Sequence, residues 1–484
     1  MRNSVDFLII GSGFGGLGMA IEISRHELGS YAIVERESSL GGTWRDNTYP
    51  GAACDVKATL YHFSFTPWRW SRAYPQQPEI LSYMEDLADD FEIRSRIHFN
   101  QEVVSADWDD TQQRWRVRCT SGADFDARYL IAATGQLHRP RTPHFPGAET
   151  FAGDQFHTAR FDHTVDLDGA RVALIGSGAS SIQVAPAIAS RVSQLDVYQR
   201  SAPYVMPKDD PATTTWQSVV QRMMPWLTRF SRARAYIFGE LFGAGLVGRS
   251  AVRSKARGQW EMYVNAVVKD PELRSLVEPD YEIGCKRVLL ASDWYSTLQR
   301  DNVTLVTTGI ERMTPSGIVT HDGTERSYDV IIYATGFDST EFLGPMAVRG
   351  RGGVEVRTTW GRRPLAHRGV TVPGFPNFFL LYGPNTNLGS NSILFMLESQ
   401  FGYVRRLIEE STSRGWPVVE VTSEALEQWR HEIDEASQGT AWLQGCGSWY
   451  TVDGVNTNNW PFSSWRYHTI LGVADLENYH APQS

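Results

Sequence analysis

The chain has 484 residues, of which 42% are hydrophobic and 21% are charged, and its formal net charge is −9. These proportions are typical of a globular protein that is large enough for two or three domains, each with its own core. Because the balance of charge is acidic, we expect no nucleic-acid partner, since proteins that bind nucleic acid carry a basic surface.

The chain contains four cysteines that are far apart in sequence and form no CxxC pair. They are Cys54, Cys119, Cys285 and Cys446. This spacing argues against a zinc site, a disulfide framework and a redox-active dithiol, and we expect no metal. A reducing cytoplasm is therefore the predicted compartment.

Neither the first residues nor the longest apolar stretch of the sequence predicts insertion into a membrane. The polar residues 1–6 lead directly into an apolar run, which leaves no room for a signal peptide. The longest apolar stretch, residues 235–247, is interrupted by Glu240 and is too short to span a bilayer. We expect no transmembrane segment and predict a buried helix at 235–247, with contact to a membrane surface as the alternative.

Two glycine-rich turns each follow an apolar run and each open a helical pattern. The first is GSGFGG at residues 11–16, and the second is GSGASS at residues 176–181. Glycines at these positions allow a tight turn that brings backbone N–H groups against a pyrophosphate. The two turns therefore predict two dinucleotide-binding folds.

The residue that ends the second strand of each fold distinguishes the two dinucleotides. Glu35 and Arg200 each lie 24 positions after the first glycine of their turn. A carboxylate there accepts hydrogen bonds from ribose hydroxyls, whereas a guanidinium suits a 2′-phosphate, which it can hold with two parallel hydrogen bonds. We therefore expect FAD at the first turn and NADPH at the second.

The second turn has an alternative interpretation, because it lacks the third glycine of the motif. It would then be an ordinary strand-to-helix turn, and Arg200 would be a solvated surface residue. Ser181 occupies the third position, and serine is small enough for it. We favour the dinucleotide site.

Strand and helix patterns alternate along the chain, and an Ala-Thr-Gly turn ends an apolar strand twice, at residues 133–135 and 334–336. We interpret both turns as crossings between domains. The predicted domains are a FAD-binding domain in two parts (1–140 and 339–484, the second with a C-terminal aromatic region), an NADPH-binding domain (141–211 and 280–338) and a helical insertion (212–279). The predicted fold class is α/β, with two Rossmann-like domains and the NADPH domain nested in the FAD domain.

One long motif resembles a known family. The segment GGTWRDNTYPGAACD at residues 41–55 is similar, position for position, to the fingerprint GGxWxxxxYPGxxxD of type I Baeyer-Villiger monooxygenases. The resemblance continues through residues 61–65, 77–80, 284–287 and 374–377 and through both Ala-Thr-Gly turns. It covers nearly the whole chain.

A second fingerprint of that family, FxGxxxHxxxW followed by Pro or Asp, is matched less well. It is met by Phe151, Gly153, His157 and Asp162. Phe161 stands where tryptophan is usual, and the related flavin-containing monooxygenases, which oxidise nitrogen and sulfur, have Phe or Tyr there. The stretch 383–387 also differs from the best-known cyclic-ketone enzymes. N- or S-oxygenation therefore stays open beside oxygen insertion into a ketone.

The resemblance implies an NADPH-dependent monooxygenase with FAD and NADPH as cofactors and with O2 and a small-molecule ketone as substrates. Together with the glycine turns, it predicts that FAD contacts Gly11, Gly13, Gly15, Gly16, Glu35, Thr43, Trp44, Asp55, Val56, Tyr61, Val103 and Ile393. It predicts that NADP contacts Gly176, Gly178, Ser180, Ser181, Arg200, Ser201, Lys286, Arg287 and Trp449.

The resemblance also implies a mechanism, in which NADPH reduces FAD and the reduced flavin holds oxygen as a C4a-peroxide that attacks the ketone to give an ester or lactone. Arg287 is the candidate cation beside the negatively charged adduct, since arginine stays protonated at any working pH. Asp55 is the candidate that holds Arg287 and adjusts protonation near the flavin. Only the resemblance places these two catalytic candidates together.

Other interpretations remain beside this one. FAD-dependent disulfide reductases share two nucleotide folds but need a reactive cysteine pair, and a flavoprotein can also act as a redox-responsive binding module without turnover. We expect His157 in a connector between domains, where it orients a loop rather than taking part in chemistry.

The C-terminal aromatic residues are expected mainly to pack. Apolar residues of the insertion and of this aromatic region predict a hydrophobic ketone as substrate, bulky or aromatic.

Overall fold

The computed structural model describes residues 3–214, 216, 223–248 and 250–481, so that the first two residues, the last three and parts of the predicted insertion lie outside the described chain. The strands are β1 Asn3–Ile10, β2 Tyr31–Val34, β3 Ile97–His98, β4 Val103–Asp109, β5 Arg114–Cys119, β6 Asp124–Ala132, β7 Asp154–His157, β8 Arg171–Ile175, β9 Gln194–Tyr198, β10 Val205–Met206, β11 Leu289–Leu290, β12 Val303–Val306, β13 Ile310–Thr314, β14 Gly317–Thr320, β15 Glu325–Ser327, β16 Val330–Tyr333, β17 Ala347–Arg349, β18 Phe378–Leu380, β19 Thr451–Val452 and β20 Val455–Asn456.

The α-helices are α1 Phe14–Arg25, α2 Thr43–Asp46, α3 Gln77–Asp90, α4 Ser181–Ile188, α5 Pro225–Gly248, α6 Ser250–Val267, α7 Pro271–Leu276, α8 Trp294–Thr297, α9 Val356–Trp360, α10 Ile393–Ser413, α11 Ser423–Ser437 and α12 Ser464–Ile470. Short 3₁₀ turns lie at Ala58–Leu60, Arg94–Arg96, Ala148–Thr150, Thr158–Arg160, Arg351–Gly353, Ala441–Leu443 and Leu476–Asn478.

The larger sheet has the strand order β17-β4-β5-β6-β1-β2-β3, with β18 also paired to β6. Its central strand β1 is parallel to β2 and β6, and residues 7–10 of β1 are buried on both faces. Strands buried in this way are expected to be continuously apolar, which explains why the run FLII carries no alternation. This sheet is the first dinucleotide-binding fold.

The second sheet has the order β12-β9-β8-β16-β7, and all its pairs are parallel. It is formed by strands between residues 154 and 333, whereas β17 and β18, which come later in the chain, join the first sheet. The second fold is therefore nested in the first, and the fold class is α/β with two Rossmann-type domains, as predicted. The exact domain limits stay a prediction.

Helix α10 returns the C-terminal part of the chain to the first fold. It packs against α1, where a Cβ on Gly18 would lie 2.3 Å from the ring of Phe401. The helix is capped by Ser392, whose side chain accepts a hydrogen bond from the N–H of Leu394. This contact brings the start of α10 towards the first glycine turn.

The prediction of a buried helix at residues 235–247 is wrong. These residues belong to α5, and the outward face of that helix exposes large apolar side chains, including Phe238 (68% exposed) and Leu241 (72%). Only the opposite face packs, since Gly239 and Gly243 lie against Ser390. Hydropathy reports apolar content but not whether another element covers it. Among the described residues, no helix is both long and apolar enough to cross a membrane.

Candidate functional site

One cavity of about 1420 Å³ is lined by residues that follow the carboxyl ends of parallel strands in both sheets. Both glycine turns, the fingerprint loop at 41–56 and the segment 447–452 line it. In open α/β sheets, ligands bind at the carboxyl ends of the strands. The volume exceeds the roughly 300–1,000 Å³ that is usual for a single small ligand, so the cavity is large enough for two dinucleotides.

The first glycine turn packs closely against Ala133, the residue that directly follows β6. Gly11 has a φ of +101°, and a Cβ there would lie 2.7 Å from the carbonyl oxygen of Ala133. A Cβ on Gly16 would lie 1.9 Å from the carbonyl oxygen of Gly11. Gly11, Gly13 and Gly15 line the cavity, whereas Gly16 does not. Gly16 allows the helix to pack on the strand, and its contact with FAD stays a prediction.

Glu35 is buried at the end of β2, as the motif requires. Its Oε2 accepts hydrogen bonds from the backbone N–H of Ser12 (2.9 Å) and from the Ser12 hydroxyl (2.7 Å). Its Oε1 accepts from Arg45 Nη1 (3.0 Å) and from the N–H of Glu37 (3.0 Å). The carboxylate thus links the glycine turn to α2. A ribose hydroxyl of the dinucleotide would donate a hydrogen bond to this carboxylate, either beside the Ser12 hydroxyl or in its place.

The other residues predicted to contact FAD also line this cavity. They are Thr43, Trp44, Asp55, Val56, Tyr61, Val103 and Ile393. Trp44 Nε1 donates a hydrogen bond to the Tyr61 hydroxyl at 2.8 Å, and the two rings meet edge to face. Glycines that allow close backbone approach, a carboxylate at the end of β2 and this aromatic wall fit a flavin dinucleotide.

The second glycine turn repeats the geometry of the first. Gly176 has a φ of +123°, and a Cβ there would lie 2.3 Å from the carbonyl oxygen of Ala334, in the second Ala-Thr-Gly turn. Gly178 and Ser180 line the cavity, but Ser181 is fully buried and does not. Like Gly16, Ser181 serves the packing of helix on strand. The contact of Ser181 with NADP stays a prediction.

This geometry separates the roles of two neighbouring glycines. We expect Gly176→Ala to lower the free energy of unfolding by about 1–3 kcal/mol, because alanine would adopt a strained positive φ and collide with the backbone of Ala334. A Cβ on Gly178 meets no atom of the described chain within 4 Å. Gly178→Ala is the matched control, and we expect it to unfold like the wild type but to bind NADP+ more weakly. Urea unfolding and calorimetric titration measure the two effects, and equal stability of both variants would contradict this assignment.

The predicted phosphate-binding residues lie together at the cavity. Lys286 Nζ donates a hydrogen bond to Ser201 Oγ at 2.9 Å, and the carbonyl oxygen of Ser201 accepts one from Ser177 Oγ at 2.9 Å. Burial lowers the pKa of Lys286, and the nearby charge of Arg200 lowers it further. Two cations that repel each other in this way form a site that an anion would stabilise.

Asp55 and Arg287 form a bidentate ion pair, although they are 232 residues apart. Arg287 Nε donates to Asp55 Oδ2 at 2.7 Å, and Nη2 donates to Oδ1 at 2.8 Å. Arg287 Nη1 donates to the carbonyl oxygen of Leu388 at 3.2 Å. The two side chains retain 30% and 25% of their exposure, which they owe to the cavity that they line.

The pair keeps both groups charged. Burial alone would raise the pKa of Asp55, but the charge and hydrogen bonds of Arg287 lower it below its ordinary value. Burial alone would lower the pKa of Arg287, but Asp55 raises it. A protonated guanidinium beside a carboxylate is thus maintained across the working pH range of an enzyme.

The two folds also contact each other through side chains of the fingerprint loop. The Tyr49 hydroxyl donates to Gln183 Oε1 at 2.9 Å, and Gln183 Nε2 donates to the carbonyl oxygen of Ala53 at 3.0 Å. Gln183 lies in the first turn of α4, so the helix of the second fold positions the loop that carries Asp55.

The expectation that the cysteines form no disulfide is wrong. Cys285 and Cys446 are joined by a disulfide across 161 residues, whereas Cys54 and Cys119 are free and buried. Spacing along the chain could not reveal the pair, because the fold brings the loop at 446 beside the segment that carries Arg287. No group of His, Cys, Asp and Glu within the described ranges could hold a metal.

The sequence suggested that His157 lies in a connector between domains, but the structure places it in a strand. It is the last residue of β7, which pairs with β16 in the second sheet, and it is buried. Its Nδ1 accepts a hydrogen bond from the N–H of Ala159 at 3.0 Å. Burial lowers the pKa of His157 to about 4, so the ring is neutral and caps the following 3₁₀ turn.

Most of the C-terminal aromatic residues pack, as expected. Trp460 stacks on Trp429 at 5.6 Å and contacts Tyr467 at 5.1 Å. Two of them do not: Trp465 is 61% exposed, and Trp449, which the resemblance predicts to contact NADP, is 43% exposed and lines the cavity. Its backbone oxygen accepts a hydrogen bond from Asn458 Nδ2 at 3.1 Å.

Sequence reasoning missed residues that follow β18. The Tyr382 hydroxyl donates to Asn387 Oδ1 at 2.6 Å, and Asn387 Nδ2 donates to Asn459 Oδ1 at 2.7 Å. Tyr382, Asn387 and Leu388 all line the cavity beside Arg287. The available signal was their position, since they follow a buried strand at the carboxyl edge of the first sheet.

Comparison with known proteins identifies the family. The family described as pyridine nucleotide-disulphide oxidoreductase matches residues 8–229. A Baeyer-Villiger monooxygenase of Streptomyces coelicolor is 38% identical over 483 residues, which cover 99% of this chain and 93% of that protein. A solved structure described as oxidized steroid monooxygenase bound to NADP is 34% identical, with a TM-score of 0.88 over 97% of both chains.

A second solved structure carries both cofactors. It is described as OTEMO in complex with FAD and NADP and is 27% identical, with a TM-score of 0.88 over 97% of both chains. The two glycine turns, the buried Glu35 and the paired cations at Lys286 and Arg200 all lie on the cavity where two such dinucleotides fit. This chain therefore belongs to the Baeyer-Villiger monooxygenases, which are NADPH-dependent flavoproteins that use FAD.

Proposed function

We propose that this protein inserts one atom of O2 into a hydrophobic ketone and releases an ester or a lactone. The observation that supports this most directly is the bidentate pair of Arg287 and Asp55, which lies at the cavity wall between the two glycine turns. Insertion of oxygen next to a carbonyl passes through a negatively charged adduct, and a fixed cation is the group that such an adduct needs.

FAD would be held by the first glycine turn and Glu35, and NADPH by the second turn, Arg200 and Lys286. When bound, these cofactors supply the hydride and the activated oxygen, while the protein supplies orientation and charge. The residues of this chain therefore have to exclude water, hold the ketone and stabilise negative charge.

Arg287 would act as the stabilising cation. Of its five N–H groups, two donate to Asp55 and one to Leu388, which leaves two without a partner among the described hydrogen bonds. A guanidinium held by three bonds loses little freedom when it donates to a new oxygen. In a site of low dielectric constant, its charge stabilises an anion much more than it would in water.

Asp55 would be a positioning residue for Arg287. Its two oxygens accept from Nε and Nη2, which fixes the plane of the guanidinium, and they leave Nη1 directed elsewhere. Because the pKa of Asp55 is lowered, the carboxylate stays ionised and does not compete for protons with the oxygen species at neutral pH.

The ketone would lie against the apolar side chains beside this pair. Leu388, Ile393 and Leu397 line the cavity, together with the rings of Tyr382 and Trp449. Such a wall favours a hydrophobic ketone over a charged one.

A product screen tests the proposal. Purified protein, NADPH and O2 are incubated with linear, cyclic, aromatic and bulky polycyclic ketones, and the products are identified by mass spectrometry. We expect esters or lactones that carry one ¹⁸O atom from ¹⁸O2. If only amines or sulfides are oxygenated, the protein acts instead as a flavin-containing monooxygenase.

That second candidate rests on Phe161, whose ring packs on Phe156 at 5.0 Å and on His163 at 5.1 Å. NADPH oxidation that yields only hydrogen peroxide with every substrate would contradict both candidates.

We retain the cytoplasmic location as a proposal, although the Cys285–Cys446 disulfide removes the support that cysteine spacing gave it. The domain limits given above also remain our proposal. Cell fractionation and limited proteolysis, respectively, test them.

A further inference from the structure

The disulfide joins two segments that both border the cavity. Cys285 directly precedes Lys286 and Arg287, and Cys446 lies three residues before Trp449. The disulfide thus connects the segment that carries Lys286 and Arg287 to the loop that carries the exposed Trp449. The mechanism proposed above uses neither cysteine.

The loop around Cys446 is flexible in sequence, although the backbone oxygen of Trp449 accepts a hydrogen bond from Asn458 Nδ2 at 3.1 Å. Gly445 and Gly447 flank the cysteine, with φ values of +83° and +59°, and a Cβ on either would meet no atom of the described chain within 4 Å. Glycine loses more conformational freedom on ordering than any other residue, so a loop with two glycines is costly to hold in one conformation. A covalent link from Cys446, between these glycines, to the segment at Cys285 removes part of that cost in advance.

We propose that Cys446, through its bond to Cys285, is a positioning residue that holds the Trp449 loop against the NADP-binding cavity. With the bond intact, the loop is ordered before NADP+ binds. With the bond reduced, binding has to order the loop, so NADP+ dissociates more readily and more reduced flavin reacts unproductively with oxygen. The consequence for oxygen insertion rests on the function proposed above, whereas the effect on NADP+ affinity does not.

The two cysteines differ in solvent exposure, and this difference determines which sulfur a reductant attacks. Cys285 is fully buried, whereas Cys446 is partly exposed. A dithiol reductant would attack Cys446 Sγ as a thiolate, which breaks the S–S bond and releases the Cys285 thiolate. The second thiol of the reductant then closes a cyclic disulfide and frees Cys446. Two electrons and two protons pass from the dithiol to the two cysteines.

The test compares the intact and the opened link in the FAD-loaded enzyme. The affinity for NADP+ is measured by calorimetry for the wild type, with and without dithiothreitol, and for Cys446→Ser. The matched control is Cys119→Ser, since Cys119 is a free cysteine on β5 that does not line the cavity.

We expect Cys446→Ser to weaken NADP+ binding by about three- to tenfold, the cost of ordering one or two side chains. Dithiothreitol should change the wild type to the same degree and leave Cys446→Ser unchanged. The rate of flavin reduction at saturating NADPH should be unaffected, which a general structural defect would not predict. The fraction of NADPH oxidised to hydrogen peroxide should increase.

Two results would overturn the proposal. One is alkylation of all four cysteines in denatured protein that was never reduced, since the link would then not exist. The other is an NADP+ affinity that neither dithiothreitol nor Cys446→Ser changes. If Cys446→Ser fails to fold, the reduced wild type decides alone. Weaker NADP+ binding without ester formation from any ketone would support the link and contradict the proposed function.

Discussion

Replacing Arg287 with alanine should reduce the formation of ester or lactone by about 10²- to 10³-fold, the usual cost of removing one preorganised donor from a site of charge development. Alanine removes the cation and leaves Asp55 unpaired, so the negative adduct would be stabilised only by water. Reduction of the flavin by NADPH should continue, because hydride transfer precedes the attack on the ketone and forms no tetrahedral adduct.

Rapid mixing under anaerobic conditions measures flavin reduction, and gas chromatography measures product in air. Arg287→Lys is the graded comparison, since lysine retains the charge but cannot donate two parallel hydrogen bonds to Asp55. Arg312→Ala, at an exposed position on β13, controls for loss of an arginine elsewhere. Full oxygen insertion by Arg287→Ala would remove this side chain from the mechanism.

Replacing Arg200 with alanine should raise the KM for NADPH by about tenfold to a few hundredfold, which corresponds to ~1.5–3 kcal/mol of charged hydrogen bonding. The KM for NADH should hardly change, because NADH has no 2′-phosphate. The variant would therefore discriminate less between the two nucleotides. Lys286 would retain part of the phosphate contact, since it lies beside Arg200 and is held by Ser201.

Steady-state kinetics with both nucleotides check this result. Arg191→Ala is the matched control, because Arg191 belongs to the same fold but pairs with Asp168 at the surface. An unchanged preference for NADPH in Arg200→Ala would refute the assignment of the second turn.

Features that depend on a few neighbouring residues could be predicted from the sequence. A tight turn with a positive φ requires glycine whatever surrounds it, so Gly11 and Gly176 marked both dinucleotide folds. Glu35 and Arg200 followed at a constant distance, because a strand, a turn and a helix of regular length separate them from those glycines. The family resemblance added the pairing of Asp55 with Arg287, which no local pattern contains.

Other features were decided by tertiary structure alone, because they depend on which distant segments meet. The sequence by itself determined that two dinucleotide folds exist and which charge ends the second strand of each. Only the fold decided that Cys285 meets Cys446, that α5 exposes apolar side chains such as Phe238 and Leu241, and that His157 ends a strand. Contacts across more than a hundred residues leave no periodic trace in the chain, since they arise when sheets and loops pack.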